Sequence, residues 1–238
     1  MESGVVKRIK TGIAGLDKMI AGGIPSGSQV LVLGGPGTGK TLMSIEIAYH
    51  NAKLEIPSTF ITTEELRESI LENAENAFYA FEDFQDFIDR GLIQIIHLPV
   101  LDGFKARENF QKFIADDVIG ALAKNKSKLL IFDSISSIRP VMEDDRMFTR
   151  SATYMTEAFR EEEITSFITA EVGPEKILVN ESGLFGTSMF DGLFKLSVNQ
   201  LGGSAQYTLE ISKLRNSAHR LSGVPYQITS SGFDVLAD

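Results

Sequence analysis

The stretch QVLVLGGPGTGKTLMSIEIAYHNAK, residues 29–53, decides the fold. It begins with an apolar run typical of a buried strand, turns through a glycine-rich loop and continues in a helical pattern. The loop GGPGTGKT, residues 34–41, matches G-x-x-x-x-G-K-[ST] in the strand–loop–helix context that this pattern requires. Glycines let backbone N–H groups point at phosphate oxygens, and the following helix adds a partial positive charge. The stretch therefore predicts a phosphate-binding loop, against the alternative of a glycine-rich turn without function.

The loop assigns a part in nucleotide binding to particular residues. Lys40 is expected to reach the β- and γ-phosphates, and the hydroxyl of Thr41 to hold Mg²⁺. The further predicted ATP contacts are Gly35, Pro36, Gly37, Thr38, Gly39 and Leu42. ATP and Mg²⁺ are therefore the expected cofactors.

A carboxylate for the metal stands at the end of another apolar run. In LLIFDS, residues 129–134, four apolar residues lead to Asp133. The carboxyl ends of parallel strands meet at the sheet edge where ligands bind, so Asp133 is predicted both to bind the nucleotide's Mg²⁺ and to lie beside the loop. The alternative is an aspartate that simply starts a loop, a position that aspartate favours.

Two adjacent carboxylates follow a third apolar run. FITTEE, residues 60–65, ends in Glu64 and Glu65. Hydrolysis needs a group that orients or deprotonates water, and neighbouring side chains diverge in a strand-to-helix turn. One carboxylate would then face the γ-phosphate while the other supports it. The alternative is that both merely open a helix, where acidic residues are common.

Composition indicates a soluble protein with one core. The 238 residues are 43% hydrophobic and 23% charged, and we expect one α/β domain over 1–238. The absence of cysteine excludes disulfides, thiolate metal sites and a cysteine nucleophile. No apolar run has the length of a membrane span, and the first residues lack a signal-peptide pattern, so we expect a cytoplasmic protein without membrane contact. The net charge of −9 argues against unspecific binding to nucleic acid.

Strand-like and helix-like segments alternate along the chain. The strand-like runs are 29–35, 58–63, 92–100, 128–134, 164–170, 192–198 and 207–214. The helices are predicted at 40–53, 64–88, 105–124 and 145–162. This alternation predicts a mostly parallel, twisted sheet flanked by helices. The last strands follow one another without helices, which predicts antiparallel strands at the C-terminal end.

Four motifs together resemble a known family. Residues 11–41, TGIAGLDKMIAGGIPSGSQVLVLGGPGTGKT, resemble the opening of KaiC-type members of the RecA superfamily of P-loop ATPases. FITTEE resembles their strand with paired catalytic glutamates, LLIFDS their Walker B strand, and KLRNSAH, residues 213–219, their Lys-Leu-Arg-x-x-x-His stretch. The resemblance runs from Thr11 to about Val235. It implies a single RecA-like domain that hydrolyses ATP with Mg²⁺, as in archaeal KaiC-like proteins and RadA paralogues.

The resemblance also implies roles for separate residues. Glu64 and Glu65 would polarise the attacking water, and Lys213 and Arg215 would act on the nucleotide of the adjacent subunit. Two apart on a strand, Lys213 and Arg215 would share one face and stabilise the charge of the transition state. His219 would lie near the sugar or base of that nucleotide. The implied assembly is a homo-oligomeric ring, with a hexamer as the expected size.

The sequence departs from the KaiC pattern at two positions, and two other functions are left as alternatives. Leu221 and Ser230 stand where the clock protein KaiC has a lysine and an aspartate, which leaves the base preference open. Three arginines and the loop 172–188 are candidates for contact with single-stranded DNA, as in a RadA-type repair accessory, but neighbouring acids dilute them. These arginines are Arg139, Arg146 and Arg150. A slow ATP-dependent regulator that assembles with a partner protein is the third possibility.

A run of aromatic residues lies in the second predicted helix. Its members recur every three residues, and they are Phe78, Phe81, Phe84 and Phe87. On a helix they form one slanted face, which predicts packing against the sheet or a neighbouring helix. An intersubunit surface is the alternative.

Overall fold

A large mixed sheet occupies the centre of the fold. The structure is a computed structural model, and it describes residues 6–77, 81–98, 110–171, 187–201 and 204–237. Within these ranges the strands are β1 (Arg8–Ile9), β2 (Ile24–Pro25), β3 (Gln29–Gly34), β4 (Ser58–Thr62), β5 (Ile93–His97), β6 (Leu129–Asp133), β7 (Thr165–Glu171), β8 (Gly192–Leu201), β9 (Ser204–Leu214), β10 (Val224–Thr229) and β11 (Gly232–Val235). The pair β1–β2 forms a separate ribbon. The other strands form one sheet in the order β11-β10-β9-β8-β3-β7-β6-β4-β5.

The direction of the strands changes at β8. All pairs from β8 through β3, β7, β6 and β4 to β5 are parallel. The pairs β8–β9, β9–β10 and β10–β11 are antiparallel. The predicted α/β fold, with a mostly parallel sheet and antiparallel C-terminal strands, is therefore confirmed. The order also shows that β7 lies between β3 and β6, so the loop after β3 and Asp133 on β6 belong to strands that are not neighbours.

In the described residues, the first helix joins the strands of the β1–β2 ribbon, and the later helices lie between strands of the large sheet. The helices are α1 (Ala14–Met19), α2 (Lys40–Lys53), α3 (Arg67–Ala77), α4 (Phe84–Asp89), α5 over 110–125 and α6 (Asp145–Glu161). Within α5 an α-helical turn (Phe110–Lys112) passes into a π-helical segment (Phe113–Ile119) and then a second α-helical segment (Gly120–Asn125). The first part of the helix predicted at 105–124 lies outside the described residues. Within the described ranges, none of the helices is long and apolar enough to cross a membrane.

The continuous apolar run of β3 reflects a sheet that is covered on both faces. Val30 and Val32 pack into one hydrophobic cluster with residues of α2 and the C-terminal strands. Leu31 and Leu33 point the other way, into a second cluster with residues of α5 and α6. Successive residues of a strand point to opposite faces, so a strand buried on both sides is apolar throughout.

The single helix predicted at 64–88 is wrong. The structure has α3 ending at Ala77 and a separate α4 beginning at Phe84. Tyr49 of α2 contacts the segment before α4, where its hydroxyl donates a hydrogen bond to Asp83 Oδ1 at 2.6 Å. The rings of Phe81, Phe84 and Phe87 have centroids 3.8, 6.3 and 5.7 Å from the Tyr49 ring.

The three rings would be spread more widely on one continuous helix. Residues three apart on a helix differ by about 60° in direction, so the rings would fan out around it. The break lets them converge on Tyr49. All three are buried, which confirms the predicted packing role for them. Phe78 lies outside the described residues.

The aromatic cluster gives a test of the fold. Phe84 is fully buried, at 0% exposure. Phe84→Ala is expected to lower the free energy of unfolding by about 3–5 kcal/mol, because it removes a large apolar side chain and leaves a cavity. Leu54→Ala is the control, since Leu54 is 56% exposed and its loss should cost less than about 0.5 kcal/mol. Denaturant unfolding monitored by circular dichroism measures both, and similar losses would contradict the packing described.

Candidate functional site

The predicted site lies at the carboxyl edge of the parallel strands. The loop 35–39 leaves β3 there, and Gly34 pairs in register with Glu171 at the end of β7. On the next strands, Asp133 of β6 pairs with Thr62 of β4, just before Glu64. The register of four adjacent strands therefore brings the motifs of three separate sequence segments to one edge.

The loop backbone adopts the conformation that its glycines allow. Gly37 and Gly39 have positive φ angles of 72° and 84°. A Cβ atom on Gly34 would lie 2.4 Å from Thr38 Oγ1, which leaves no room for a side chain. Pro36 and Gly37 form the exposed tip, and α2 begins directly after the loop, at Lys40. Such a loop at the start of a helix is a concave array of N–H groups suited to an anion.

Lys40 lies across the loop. Its Nζ donates hydrogen bonds to the carbonyls of Gly34 at 2.9 Å and Gly35 at 3.0 Å. Burial lowers the pKa of Lys40, while the carboxylates of Glu171, Asp133 and Glu64 act in the opposite direction. The amino group of Lys40 therefore lies in a partly buried site, with carboxylates at the ends of the neighbouring strands and in the turn after β4.

Asp133 is held by hydroxyl groups from two other elements. Its Oδ2 accepts a hydrogen bond from Thr41 Oγ1 at 2.7 Å, and its Oδ1 accepts one from Thr169 on β7. Asp133 is only 8% exposed, so both partners are needed to offset the loss of hydration. The structure thus places the two predicted metal ligands, Thr41 and Asp133, in direct contact.

The donor set fits Mg²⁺. Both side chains offer oxygen atoms, which Mg²⁺ prefers, and the ion is commonly held by one or two protein groups together with phosphate oxygens. Within the described ranges, no cluster of three or more His, Cys, Asp or Glu side chains forms a metal cage. The residues at this edge therefore suit a metal that arrives with a phosphate rather than one held by protein alone.

Glu64 and Glu65 diverge in the turn after β4. Glu64 accepts a hydrogen bond from Ser134 Oγ at 3.3 Å, beside Asp133, whereas Glu65 accepts one from Asn73 Nδ2 of α3 at 3.0 Å. Partial burial raises the pKa of both carboxyls, and the charge of Asp133 raises it further. Glu64 thus points towards the phosphate-binding loop, and Glu65 points towards α3.

Lys213, Arg215 and His219 do not join this group. Leu214, the last residue of β9, pairs with Gly192, which pairs with Val30 near the start of β3. The basic stretch is therefore at the opposite edge of the sheet from the loop. The strand ends at Leu214, so the expectation that Lys213 and Arg215 share a strand face is corrected: Arg215 lies in the turn that follows.

Both cations nevertheless contact one segment, residues 188–191. Lys213 Nζ donates to the carbonyl of Phe190 at 2.6 Å. Arg215 donates to the carbonyl of Ser188 at 3.0 Å and lies 3.3 Å from Asp191 Oδ1. Burial lowers the pKa of Lys213, and the charge of Arg215 lowers it further. The two cations thus form one basic region, even though the strand does not align them.

His219 lies in the turn beside α1. Its Nδ1 is 3.3 Å from the carbonyl of Ser217, and in the described part of the chain its buried Nε2 has no hydrogen-bond partner. Lys18 and Arg220 line a cavity of about 240 Å³ with it. Leu42, in the first turn of α2, is half-buried and packs against the core.

The motifs did not indicate two residues of this edge. Thr169 holds Asp133, and Glu171 is the carboxylate with the largest effect on Lys40. Both are polar residues at the end of the apolar run ITSFITAE, residues 164–171. Two polar residues at the end of a strand-like run could have indicated a site at this edge. The residues that Thr169 and Glu171 contact, however, depend on the strand order.

The regions considered for DNA contact are poorly suited in the described residues. Arg139 forms an ion pair with Asp145, with Nη2 2.7 Å from Oδ1. Arg146 and Arg150 line a groove together with Glu143 and Asp144. Of the second candidate loop, 172–188, residues 172–186 lie outside the described ranges.

Comparison with known proteins identifies the family. The family model described as the KaiC ATPase matches residues 9–238. The chain belongs to the KaiC ATPase family. Membership supports an ATP-binding protein of the KaiC/RecA type, in agreement with the loop geometry.

Individual relatives agree with this assignment. The circadian clock oscillator protein KaiC of Picosynechococcus is 31% identical over 97% of this chain, but the match covers 45% of that protein. The chain thus spans less than half the length of its KaiC relatives. A UPF0273 protein of Methanopyrus kandleri is 27% identical, over 97% of this chain and 92% of its own length. A KaiC-like protein of Pyrococcus horikoshii has a solved structure with a TM-score of 0.82 and 26% identity, covering 97% of this chain and 99% of that one.

The raised pKa of Glu64 gives this KaiC-family chain a pH-dependent stability. The folded state holds the proton of Glu64 to a higher pH than the unfolded chain does, so ionisation above the raised pKa costs stability. Glu64→Gln removes that cost and keeps an acceptor for Ser134. The melting temperature of the nucleotide-free protein is expected to rise at pH 8, by a small amount because the group is partly solvated.

The gain should shrink as the pH falls and vanish well below about 4.3, where the carboxyl is protonated in both states. Thermal melts of wild type and variant over this pH range measure it. Glu75→Gln, an exposed change on α3, is the control and should leave the melting temperature unaltered. A gain that grew on acidification would contradict the pKa shift.

Proposed function

We propose that this chain is a Mg²⁺-dependent ATPase that forms one domain over 1–238 and works as a homo-oligomeric ring, a hexamer, with active sites between subunits. The observation that carries the proposal is the position of the basic pair. Lys213 and Arg215 contact residues 188–191 at one edge of the sheet, and the phosphate-binding loop lies at the other. An anion bound in the loop is therefore served by the basic pair of another copy.

The separation within one chain supports this arrangement. From Val30, which is level with Leu214, to the end of β3 at Gly34 the sheet runs about 13 Å. The strand β9 also lies two strands to the side of β3, which adds about 10 Å across the sheet. A head-to-tail contact between copies brings the two edges together, and repeated head-to-tail contacts close into a ring.

The roles within a site follow from the contacts. Backbone N–H groups of the loop and Lys40 bind the phosphates, and Thr41 and Asp133 hold Mg²⁺, which supplies positive charge to the phosphate oxygens. Glu64 orients and deprotonates the attacking water, because a carboxylate with a raised pKa is the stronger base. Glu65 supports the turn through Asn73. Lys213 and Arg215 stabilise the transition state from the adjacent subunit, where His219 lies towards the nucleoside.

Mixed rings test the trans arrangement. Lys40→Ala removes the phosphate contact, and Arg215→Ala removes a cation of a kind that contributes about 10³–10⁵ in rate, so each variant alone is expected to be inactive. In a ring mixed in equal amounts, a site is complete when one subunit supplies Lys40 and its neighbour supplies Arg215. About one quarter of the sites meet this condition, so about one quarter of the wild-type rate should return.

The measurement is steady-state phosphate release after the variants are unfolded, mixed and refolded together. Arg90→Ala is the matched control, because Arg90 is also an exposed arginine in ion pairs, with Glu55 and Asp86. The Arg90→Ala variant should be active without a second variant in the ring. Native mass spectrometry with and without ATP gives the ring size. Mixed rings without any recovered activity would contradict action in trans.

Single-stranded DNA binding, as in a RadA-type repair accessory, is the first alternative. It requires a basic groove, whereas Arg139 is already paired with Asp145. Fluorescence anisotropy with single-stranded DNA at two salt concentrations decides it: no binding at low salt removes the alternative. A slow regulator that assembles with a partner protein is the second. A turnover well above about 10⁻² s⁻¹ would count against it.

A further inference from the structure

The C-terminal hairpin, β10 with β11, packs against the phosphate-binding loop. The hydroxyl of Tyr226 on β10 donates a hydrogen bond to the carbonyl oxygen of Thr38 at 2.6 Å. Ile228, two residues further on the same face, lies so close that a Cβ atom on Gly39 would be 2.6 Å from its Cδ1. The hairpin thus touches the loop directly before the helix that presents Lys40.

The Tyr226 hydroxyl is held in place. Tyr226 is 2% exposed, and its ring stacks on Phe233 with centroids 4.4 Å apart and planes 17° apart. The backbone N–H of Phe233 in turn donates to Glu46 Oε2 on α2 at 2.6 Å. The hairpin is therefore fastened both to the loop and to the helix that follows it, and a tyrosine so packed has little freedom to move its hydroxyl.

The orientation of one peptide group follows from this contact. In a planar trans peptide the C=O of one residue and the N–H of the next point in opposite directions. With its carbonyl held by Tyr226, Thr38 directs the Gly39 N–H away from the hairpin. Thr38 Oγ1 is engaged separately, by donation to the Gly35 carbonyl at 2.8 Å. Within the described residues, the Gly39 N–H has no acceptor in the protein.

We propose that Tyr226 is a positioning residue for nucleotide binding, which fixes the Thr38–Gly39 peptide so that its N–H faces the phosphates. The inference rests on the proposed function in one respect, that the loop binds a nucleotide. Burial raises the pKa of Tyr226 above its ordinary value, so the hydroxyl stays protonated and remains a donor. Tyr226 does not touch the nucleotide; it acts through the loop backbone.

Tyr226→Phe tests this proposal, because it removes only the hydroxyl oxygen and keeps the ring stacked on Phe233. The dissociation constant of Mg·ADP, measured by isothermal titration calorimetry, is expected to rise about 3- to 10-fold. A non-hydrolysable ATP analogue should lose affinity by the same factor, because the loop N–H groups bind phosphates that both ligands have. KM for ATP should rise while kcat stays within about twofold of the wild type.

Tyr207→Phe is the matched control. Tyr207 packs against the Tyr226 ring at 5.3 Å, and the substitution removes the same atom from the same cluster. It should leave the affinity unchanged. A Tyr226→Phe protein with a lower melting temperature but wild-type affinity would show a purely structural role, and an equal loss in both variants would equally overturn the proposal. If the wild type itself does not bind Mg·ADP, the proposed function fails rather than this inference.

Discussion

The two hydroxyl groups that donate to Asp133 hold the functional edge of the sheet together. Thr41 comes from the helix after β3, and Thr169 comes from β7, the strand between β3 and β6. Three adjacent elements therefore meet at one carboxylate that is nearly removed from water. A buried charge of this kind is stable only when it is fully hydrogen-bonded, and each bond to it contributes about 1.5–3 kcal/mol. Ser134, the residue after Asp133, donates a hydrogen bond to Glu64 at the same edge.

The electrostatics of that edge constrain which ligand can enter it. Three carboxylates, of Glu171, Asp133 and Glu64, act on the ammonium group of Lys40. A polyphosphate that entered alone would meet more negative than positive charge. Asp133 would hold a divalent cation that enters with the phosphates, and the charge of that cation would offset the negative excess. The charge balance at this edge, like the oxygen atoms of Thr41 and Asp133, therefore supports the proposal that Mg²⁺ accompanies the nucleotide.

Sequence reasoning succeeded where the signal was local. The phosphate-binding loop, the strand before Asp133 and the alternation of strands and helices each depend on residues close in sequence, and the parallel sheet with antiparallel C-terminal strands followed from them. It failed where distant residues decide the structure. The segment between α3 and α4 contacts Tyr49, more than twenty residues before it in the sequence. The partners of Thr169 depend on the strand order. Tyr226 gave no signal because only the folded hairpin brings it to the loop.

Opposite excess charges on the two sheet edges are complementary in the proposed head-to-tail contact between copies. In the described part of the chain, Arg160 and Arg215 both form ion pairs with the carboxylate of Asp191. Two positive charges therefore face one negative charge, which leaves this edge with an excess of positive charge. The edge with the loop carries an excess of negative charge, as described above. A head-to-tail contact pairs unlike edges of neighbouring copies, so opposite charges would face each other across it. The ion pairs with Asp191 also hold Arg215 in position within its own chain, so the residue is oriented before any neighbour arrives. When two copies associate, a phosphate bound in the loop of one copy would therefore meet an arginine that Asp191 already holds in position in the other.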